Sequence, residues 1–227
     1  APEALARTVR ERKADIGFAF DGDGDRVISV DAQGEIHDGD TVLGLVARHF
    51  ARAGKLKPSL IVGTVMSNGG LEAVLARDGV RLVRTKVGDR YVWEEMEKQD
   101  AQFGGEPSGH VIFRGIATTG DGILTALELL HLVRAEGKPL HELAADLERW
   151  PQFTRNVRAA RRGEWAAVPA FARAVREEET RLASTGRVLV RPSGTEPVLR
   201  ITVEARDAAV ARGAVQRLEN IAKRELA

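Results

Sequence analysis

Residues 15–31 read DIGFAFDGDGDRVISVD, and this stretch decides how the first part of the chain folds. Apolar residues on both sides of the acidic centre predict two strands, while the glycine-separated aspartates between them cannot continue either strand. The stretch therefore predicts a strand–loop–strand unit whose loop carries Asp21, Asp23 and Asp25.

Three carboxylates this close in sequence repel one another unless a cation lies among them. The intervening glycines allow the loop to fold so that Asp21, Asp23 and Asp25 converge, and oxygen ligands alone favour a hard ion such as Mg²⁺. Arg26 suits a phosphate oxygen that approaches the open side of the metal. A calcium EF-hand is excluded because Arg26 and Ala32 stand where that motif needs Gly and Glu. A solvated acidic turn is the structural alternative.

A second polar loop, GEPSGH, lies between two predicted short strands. Within it, Gly105 is followed by Glu106 and Ser108, whose polar side chains on a glycine-flanked loop suit the recognition of hydroxyl groups. His110 fits an acid–base group, a phosphate donor or a hydrogen-bonded structural histidine at the start of a strand.

A third loop reads RPSGTEP and begins at Arg191. One guanidinium, the hydroxyls of Ser193 and Thr195, and the backbone N–H groups around Gly194 predict a phosphate cradle. Arg200, on the strand that follows, adds positive charge. Such loops are also common as simple turns.

Composition narrows the possible functions. Lys+Arg 34 against Asp+Glu 33 gives a net charge of +1, which argues against a nucleic-acid-binding surface. The absence of Cys excludes disulfides, iron–sulfur clusters and thiol nucleophiles. No apolar run reaches the roughly 20 residues that span a bilayer, and the N-terminus has no signal-peptide pattern. We therefore expect a cytoplasmic protein that binds neither nucleic acid nor membranes.

Alternating strand and helix patterns through the middle of the chain predict a mixed α/β sheet. A helix is expected from Thr41 to Ala53, with Asp40 as its N-cap. After Glu148 the composition changes, and a continuous helix over residues 165–182, followed by alternating strands, predicts a small α+β domain.

The ordered set DGDGDR, GExSGH and RxSGTEP resembles the α-D-phosphohexomutase superfamily over essentially the whole chain. Within the superfamily, residues 84–92 and 118–122 are similar to the bacterial phosphoglucosamine mutases. One departure from those enzymes is Pro107, where they commonly carry Gln. Because this loop selects among sugars in the family, the departure bears on which sugar is bound.

The resemblance implies a division into three parts of a four-domain protein. Residues 1–35 would be the end of domain 2, a partial α/β domain with the metal loop. Residues 36–148 would be the α/β sugar-binding domain 3, and residues 149–227 the α+β phosphate-binding domain 4. The catalytic serine of the family, within a T-A-S-H-N-P-like motif, is missing from the 227 residues. We expect a fragment whose partner is the missing N-terminal domain.

The reaction implied by the resemblance interconverts glucosamine 6-phosphate and glucosamine 1-phosphate through a phosphoserine and a sugar 1,6-bisphosphate, with one Mg²⁺. Arg26 would stabilise the transferring group, and Lys86 and His110 would serve proton transfer or phosphate contact. The chain alone is expected to be inactive. The alternatives are a phosphomannomutase or phosphoglucomutase, a metal-dependent phosphohydrolase with an Asp nucleophile, and a non-catalytic phosphosugar-binding module.

Overall fold

A computed structural model describes residues 2–159, 162–194 and 196–226. The chain forms two compact units, Ala1–Glu148 and Arg149–Ala227. Both combine helices with sheets, so the expected α/β class is confirmed. The division of the first unit at residue 35 stays a prediction. Thr195, assigned to the phosphate loop from sequence, lies outside the described residues.

The acidic stretch forms the predicted strand–loop–strand unit. Its two strands are antiparallel, and Phe20 pairs with Val27, so the aspartate loop closes the end of the pair. The helix that precedes it packs Val9 against the strand at Gly17. In chain order the elements are α1 (Pro2–Arg12), β1 (Ile16–Phe20), β2 (Val27–Asp31) and β3 (Ile36–His37).

The rest of the first unit is a four-stranded sheet with helices around it. The strand order is β5-β4-β6-β7, with β4 parallel to β5 and β6, and β7 antiparallel to β6. The predicted mixed sheet is therefore confirmed. The elements are α2 (Gly39–Arg52), β4 (Leu60–Thr64), α3 (Gly69–Arg77), β5 (Arg81–Thr85), α4 (Asp89–Gln99), β6 (Phe103–Gly105), β7 (Val111–Phe113), α5 (Gly122–Glu136) and α6 (Leu140–Ala144).

The start of α2 differs from the prediction. Asp38, not Asp40, is the N-cap: its carboxylate accepts from the backbone N–H groups of Asp40 and Thr41 at 3.1 and 3.3 Å. Asp40 lies inside the first turn and accepts instead from the N–H of Asn68 at 2.7 Å. Sequence alone did not separate two aspartates two residues apart, because the contact between Asp40 and Asn68 is tertiary and local sequence does not show it.

Arg48 fixes the position of α2, the helix that begins beside the GEPSGH loop. It is buried, and its guanidinium binds Asp146 through two bonds of 2.6 Å and Asp78 through one of 2.6 Å. Hydrogen bonds from Arg48 lower the pKa of Asp146 despite partial burial. The start of α2 in turn contacts the loop, because the N–H of Gly39 donates to the carbonyl of Pro107 at 3.1 Å.

The second unit is an antiparallel sheet, order β8-β10-β9, backed by two helices. The helix expected over 165–182 is present and ends at Leu182, but it begins at Pro169. Residues Arg162–Ala167 form a separate 3₁₀ helix, because Pro169 lacks the N–H that would continue a helix through it. Strand β8 was not predicted. The elements are β8 (Gln152–Arg158), α7 (Pro169–Leu182), β9 (Gly186–Pro192), β10 (Val198–Ala205) and α8 (Ala208–Glu225).

The two faces of this sheet differ in chemistry. Leu199, Ile201 and Val203 of β10 are fully buried against the helices. Their neighbours along the strand point to the opposite face and are mainly polar. Across the described ranges, none of the helices has both the length and the apolar character needed to cross a membrane.

Candidate metal and phosphate-binding sites

The three aspartates of the acidic loop converge. One carboxylate oxygen each from Asp21, Asp23 and Asp25 lies within 4.8 Å of the others. Asp25 Oδ1 is buried and accepts no hydrogen bond from the described residues. An all-oxygen set with an unsatisfied buried acceptor fits a hard divalent cation such as Mg²⁺.

Arg26 partly offsets the repulsion within this cluster. Its Nε lies 3.7 Å from Asp21 Oδ2 and 3.7 Å from Asp25 Oδ1, while half of the side chain remains exposed. Desolvation opposes ionisation of Asp21, but the backbone N–H of Arg26, which donates to Asp21 Oδ1 at 3.2 Å, and the charge of the Arg26 guanidinium favour the ionised form, and the pKa of Asp21 is lowered.

His110 connects the GEPSGH loop to the aspartate cluster. It is buried, its Nδ1 lies 3.0 Å from Asp25 Oδ2, and its Nε2 accepts the backbone N–H of Gly120 at 3.1 Å. Because a backbone N–H only donates, the neutral ring carries its proton on Nδ1 and donates it to Asp25. In this arrangement both ring nitrogens are engaged, so His110 orients Asp25. Its predicted role in proton transfer stays a prediction.

Backbone contacts hold the same loop against strand β2. The N–H of Val27 donates to the carbonyl of Gly109 at 3.2 Å. Gly109 has a φ of +91°, and a Cβ there would overlap the carbonyl oxygen of Val27. Glycine is required at this position because both the left-handed backbone and the close approach exclude a side chain. Ser108 consequently lines a cleft of about 290 Å³ together with Asp21 and Arg26.

Glu106 and Lys86 belong to neighbouring loops. Glu106 Oε1 accepts the backbone N–H of Gly88 at 3.1 Å, which joins the GEPSGH loop to the segment before α4. The ammonium of Lys86 lies 5.8 Å from the ring centroid of Tyr91, which is itself exposed. Gly105, just before Glu106, lies so close to His110 that a Cβ would overlap its carbonyl oxygen. The Glu106–Gly88 hydrogen bond thus joins the GEPSGH loop to the segment that carries Lys86.

In the second unit, the RPSGTEP loop joins β9 to β10. Ser193 is buried; its N–H donates to the carbonyl of Val198 at 2.9 Å, and its Oγ accepts from the N–H of Glu196 at 3.3 Å. Gly194 is exposed, and a Cβ added to it would meet no atom of the described residues within 4 Å. Arg200 donates to Glu196 at 3.3 Å, so the loop is tied to the central strand.

The structure describes most of the site residues that the sequence predicted. The first unit brings the three aspartates together with Arg26, Ser108 and His110, and the second places Arg191, Ser193, Gly194 and Arg200 around one loop or on the strand that follows it. Strand β8, which pairs with the strand that carries Arg200, was missed. The alternation of Phe153, Arg155 and Val157 was the available signal.

Two family models match this chain. Phosphoglucomutase/phosphomannomutase, alpha/beta/alpha domain III, matches residues 38–150, and the phosphoglucomutase/phosphomannomutase C-terminal domain matches residues 155–221. Together with the ordered loops, these matches show that the chain belongs to the α-D-phosphohexomutase superfamily, as the sequence motifs predicted.

More specific likeness comes from individual relatives. The chain is 47% identical over 225 residues to phosphoglucosamine mutase of Geobacillus kaustophilus, covering 99% of this chain and 50% of that protein. It is 50% identical over 222 residues to phosphoglucosamine mutase of Pelotomaculum thermopropionicum, covering 98% of this chain and 50% of the relative. The chain therefore spans about half the length of the curated relatives it matches.

A solved structure shares the fold. Aspergillus fumigatus N-acetylphosphoglucosamine mutase, crystallised in complex with GlcNAc-6P and magnesium, superposes with a TM-score of 0.75 at 20% identity. The match covers 98% of this chain and 53% of that protein. At this identity the likeness shows a common architecture, and residue roles in the present chain rest on its own geometry.

Proposed function

We propose that this chain provides the metal, sugar and phosphate loops of a phosphosugar mutase that interconverts glucosamine 6-phosphate and glucosamine 1-phosphate. The observation that carries the proposal is the convergence of Asp21, Asp23 and Asp25 within 4.8 Å, beside Arg26. The sequence identity to phosphoglucosamine mutases supports the choice of an amino sugar.

Asp21, Asp23 and Asp25 would hold Mg²⁺, which when bound neutralises charge that develops on a phosphoryl oxygen. Arg26 extends a half-exposed guanidinium from the same loop and stabilises the transferring phosphoryl group. His110 keeps Asp25 oriented through its Nδ1–H. These residues form the electrostatic part of the site.

Glu106 and Ser108 would bind the sugar. Glu106 uses Oε1 to accept from Gly88, which leaves Oε2 to accept from a ring hydroxyl or from the ammonium group of glucosamine. Ser108 lies in the cleft with Asp21 and Arg26, so a hydroxyl held there is beside the metal loop. Lys86, two residues before the Gly88 that Glu106 binds, offers a cation for the substrate.

The phosphate that does not react would be bound by the RPSGTEP loop. Arg191, Ser193, Gly194 and Thr195 supply a guanidinium, hydroxyls and backbone N–H groups in this loop. A fixed phosphate anchor allows the sugar to bind in two orientations, so that either its 1- or its 6-substituent is presented for phosphoryl transfer. Sugar 1,6-bisphosphate is then the intermediate that must turn round.

The group transfer itself needs a phosphoserine, which the family resemblance assigns to a T-A-S-H-N-P-like motif. The bond between serine Oγ and phosphorus breaks while a sugar hydroxyl oxygen bonds to phosphorus, and the hydroxyl proton passes to a base. The bisphosphate, after reorientation, returns its other phosphoryl group to the serine. The 227 residues contain no such motif, so this polypeptide alone should bind substrate without turnover.

Calorimetry and a mutase assay on the 227-residue chain test the proposal. With Mg²⁺, glucosamine 6-phosphate should bind, and glucosamine 1-phosphate with a trace of its 1,6-bisphosphate should not be converted. Asp23→Asn should abolish Mg²⁺ binding, whereas Asp15→Asn, an exposed aspartate outside the loop, should not alter it. Tighter binding of glucose or mannose 6-phosphate would favour the other mutases.

Two kinds of result would contradict the proposal. Turnover above the protein-free blank would place a nucleophile within this chain, and hydrolysis of a generic phosphate ester, abolished by Asp21→Asn, would favour the metal-dependent phosphohydrolase. Sugar binding that is unchanged when the metal loop is neutralised would point to a binding module.

A further inference from the structure

The end of the C-terminal sheet next to the phosphate loop carries an unusual concentration of arginines. In the strand register, Arg200 of β10 stands directly opposite Arg191 of β9 on one side and Asn156 of β8 on the other. Directly opposed residues share a face of the sheet. Because Leu199 and Ile201 face the helices, Arg200 and both its partners lie on the other face.

Arg158 completes the cluster. It is opposite Val198, two residues before Arg200 on β10, so it lies on the same face and diagonal to Arg200. Cβ atoms in such positions are roughly 5 Å apart when opposed and about 7–8 Å apart on the diagonal, within reach of arginine side chains. We call Arg158, Arg191 and Arg200 the arginine face.

The charges of the arginine face are poorly balanced within the protein. Like charges directly opposite each other in a sheet are destabilising. Arg200 has one acidic partner, Glu196, at 3.3 Å, and that carboxylate is mostly exposed. Arg158 and Arg191 make no ion pair with a side chain in the described part of the chain. Three guanidinium groups and one carboxylate leave an excess of two positive charges.

The geometry points to a phosphate site that extends beyond the RPSGTEP loop onto the arginine face, where Arg158, Arg200 and Asn156 bind the same phosphoryl dianion as Arg191. A phosphate monoester carries close to two negative charges at neutral pH, which matches the excess. A guanidinium group can donate two parallel hydrogen bonds to the oxygens of one phosphate. The Asn156 side-chain amide adds an uncharged N–H donor. This inference rests on the proposed function for Arg191 and extends it to Arg158 and Asn156.

Inorganic phosphate is the probe, titrated into the 227-residue chain by calorimetry at constant ionic strength, with chloride as the balancing ion. Arg158→Gln and Arg200→Gln should each weaken phosphate binding about ten-fold, the loss expected for one hydrogen-bonded charge contact. Arg158→Lys, which keeps the charge but not the planar fork, should lie between parent and Arg158→Gln. Asn156→Ala should have a smaller effect.

Arg155→Gln is the matched control. Arg155 is on the same strand as Arg158 but is opposite Ile201, on the helix-facing side, and it pairs with Glu219 at 3.2 Å. The substitution removes the same charge and should change phosphate affinity less than about two-fold. Thermal unfolding gives a second readout: without phosphate, Arg158→Gln should not lower Tm, because it removes repulsion, while phosphate should raise its Tm less than that of the parent.

Variants of the RPSGTEP loop and variants of the arginine face test the two parts of the phosphate site separately. If Arg191→Gln and Ser193→Ala abolish phosphate binding while Arg158→Gln and Arg200→Gln behave like Arg155→Gln, the extension is overturned and the loop stands. If the loop variants change nothing, or if the parent binds no phosphate, both the extension and the phosphate role in the proposed function fail.

Discussion

The aspartate loop and the arginine face concentrate charges of opposite sign, and the two clusters differ in how many partners of the opposite charge or hydrogen-bond type surround them. Around the aspartates, the chain supplies its own donors: the Arg26 backbone and guanidinium bind Asp21, and His110 binds Asp25. Around the arginines, Glu196 is the ion-pair partner of Arg200, and Arg158 and Arg191 have no such partner among the described residues.

The difference follows from where each charge sits. Asp25 is only partly exposed, and its Oδ2 is held by the Nδ1–H of the buried His110, while its buried Oδ1 has no donor among the described residues and stays available to a cation. The arginine side chains stand on a polar sheet face and keep contact with water, so they tolerate an excess of charge until an anion arrives. The acidic site is therefore organised before its ligand binds, whereas the basic site depends on its ligand for charge balance.

The strongest test of this comparison removes the backbone contact that positions the metal loop. Gly109→Ala should destabilise the first unit by roughly 3 kcal/mol or more, because φ is +91° and the Cβ meets the Val27 carbonyl. Gly54→Ala, at a φ of +67° with no atom near its Cβ, should cost about 1 kcal/mol. Urea denaturation of both variants measures the difference, and equal losses would show that the close approach is unimportant.

Measurements of Mg²⁺ affinity test whether the contact between His110 and Asp25 positions the metal ligands. Asp25→Asn should weaken Mg²⁺ binding about 100-fold, and His110→Ala about ten-fold, since residues that orient metal ligands have effects of this size. His131→Ala, an exposed histidine on α5, is the control and should leave Mg²⁺ binding unchanged. Calorimetric titration with Mg²⁺ decides; a His110 variant that matches the His131 variant would mean that the aspartates need no orientation.

The smallest expected effect concerns the helices behind the arginine face. Glu178 of α7 is buried and accepts from Arg217 of α8 at 2.7 and 2.9 Å, and from Arg181 at 2.9 Å. The Arg217 hydrogen bond, and secondarily Arg181, lower the pKa of Glu178 despite burial. Glu178→Gln should cost about 1–2 kcal/mol, below the usual value for a buried pair because both arginines are at least half exposed.

The pH dependence of this contact has a defined sign. A carboxyl group with a lowered pKa stabilises the fold above the pKa of the unfolded chain, 4.5 for Glu, and loses that contribution as pH falls through the lower folded value. The Tm of the parent should therefore fall below pH 4.5 more steeply than that of Glu178→Gln. Identical slopes in the two proteins would exclude Glu178 as a source of acid sensitivity.

Much of the fold could be predicted from the sequence because short-range residue patterns determine it. The aspartate loop between two apolar strands and the alternating helices and strands of the mixed sheet both follow from periodicity and glycine spacing. The failures were local. Helix α7 begins at Pro169 and not at Trp165, where composition alone placed its start. Strand β8 was overlooked because its alternation is mostly of exposed polar residues with half-buried ones.

The sequence by itself determined which chemical groups the protein offers: three aspartates, a polar sugar loop and an arginine-containing phosphate loop, in the order typical of one family. Only the tertiary structure decided their partners. His110 meets Asp25 across 85 residues of sequence, and Arg200 meets Arg191 and Asn156 through strand register. Contacts of this kind depend on how segments that are distant in sequence pack together. Strand register is set by which side chains become buried when the strands pair, and local propensity does not determine it.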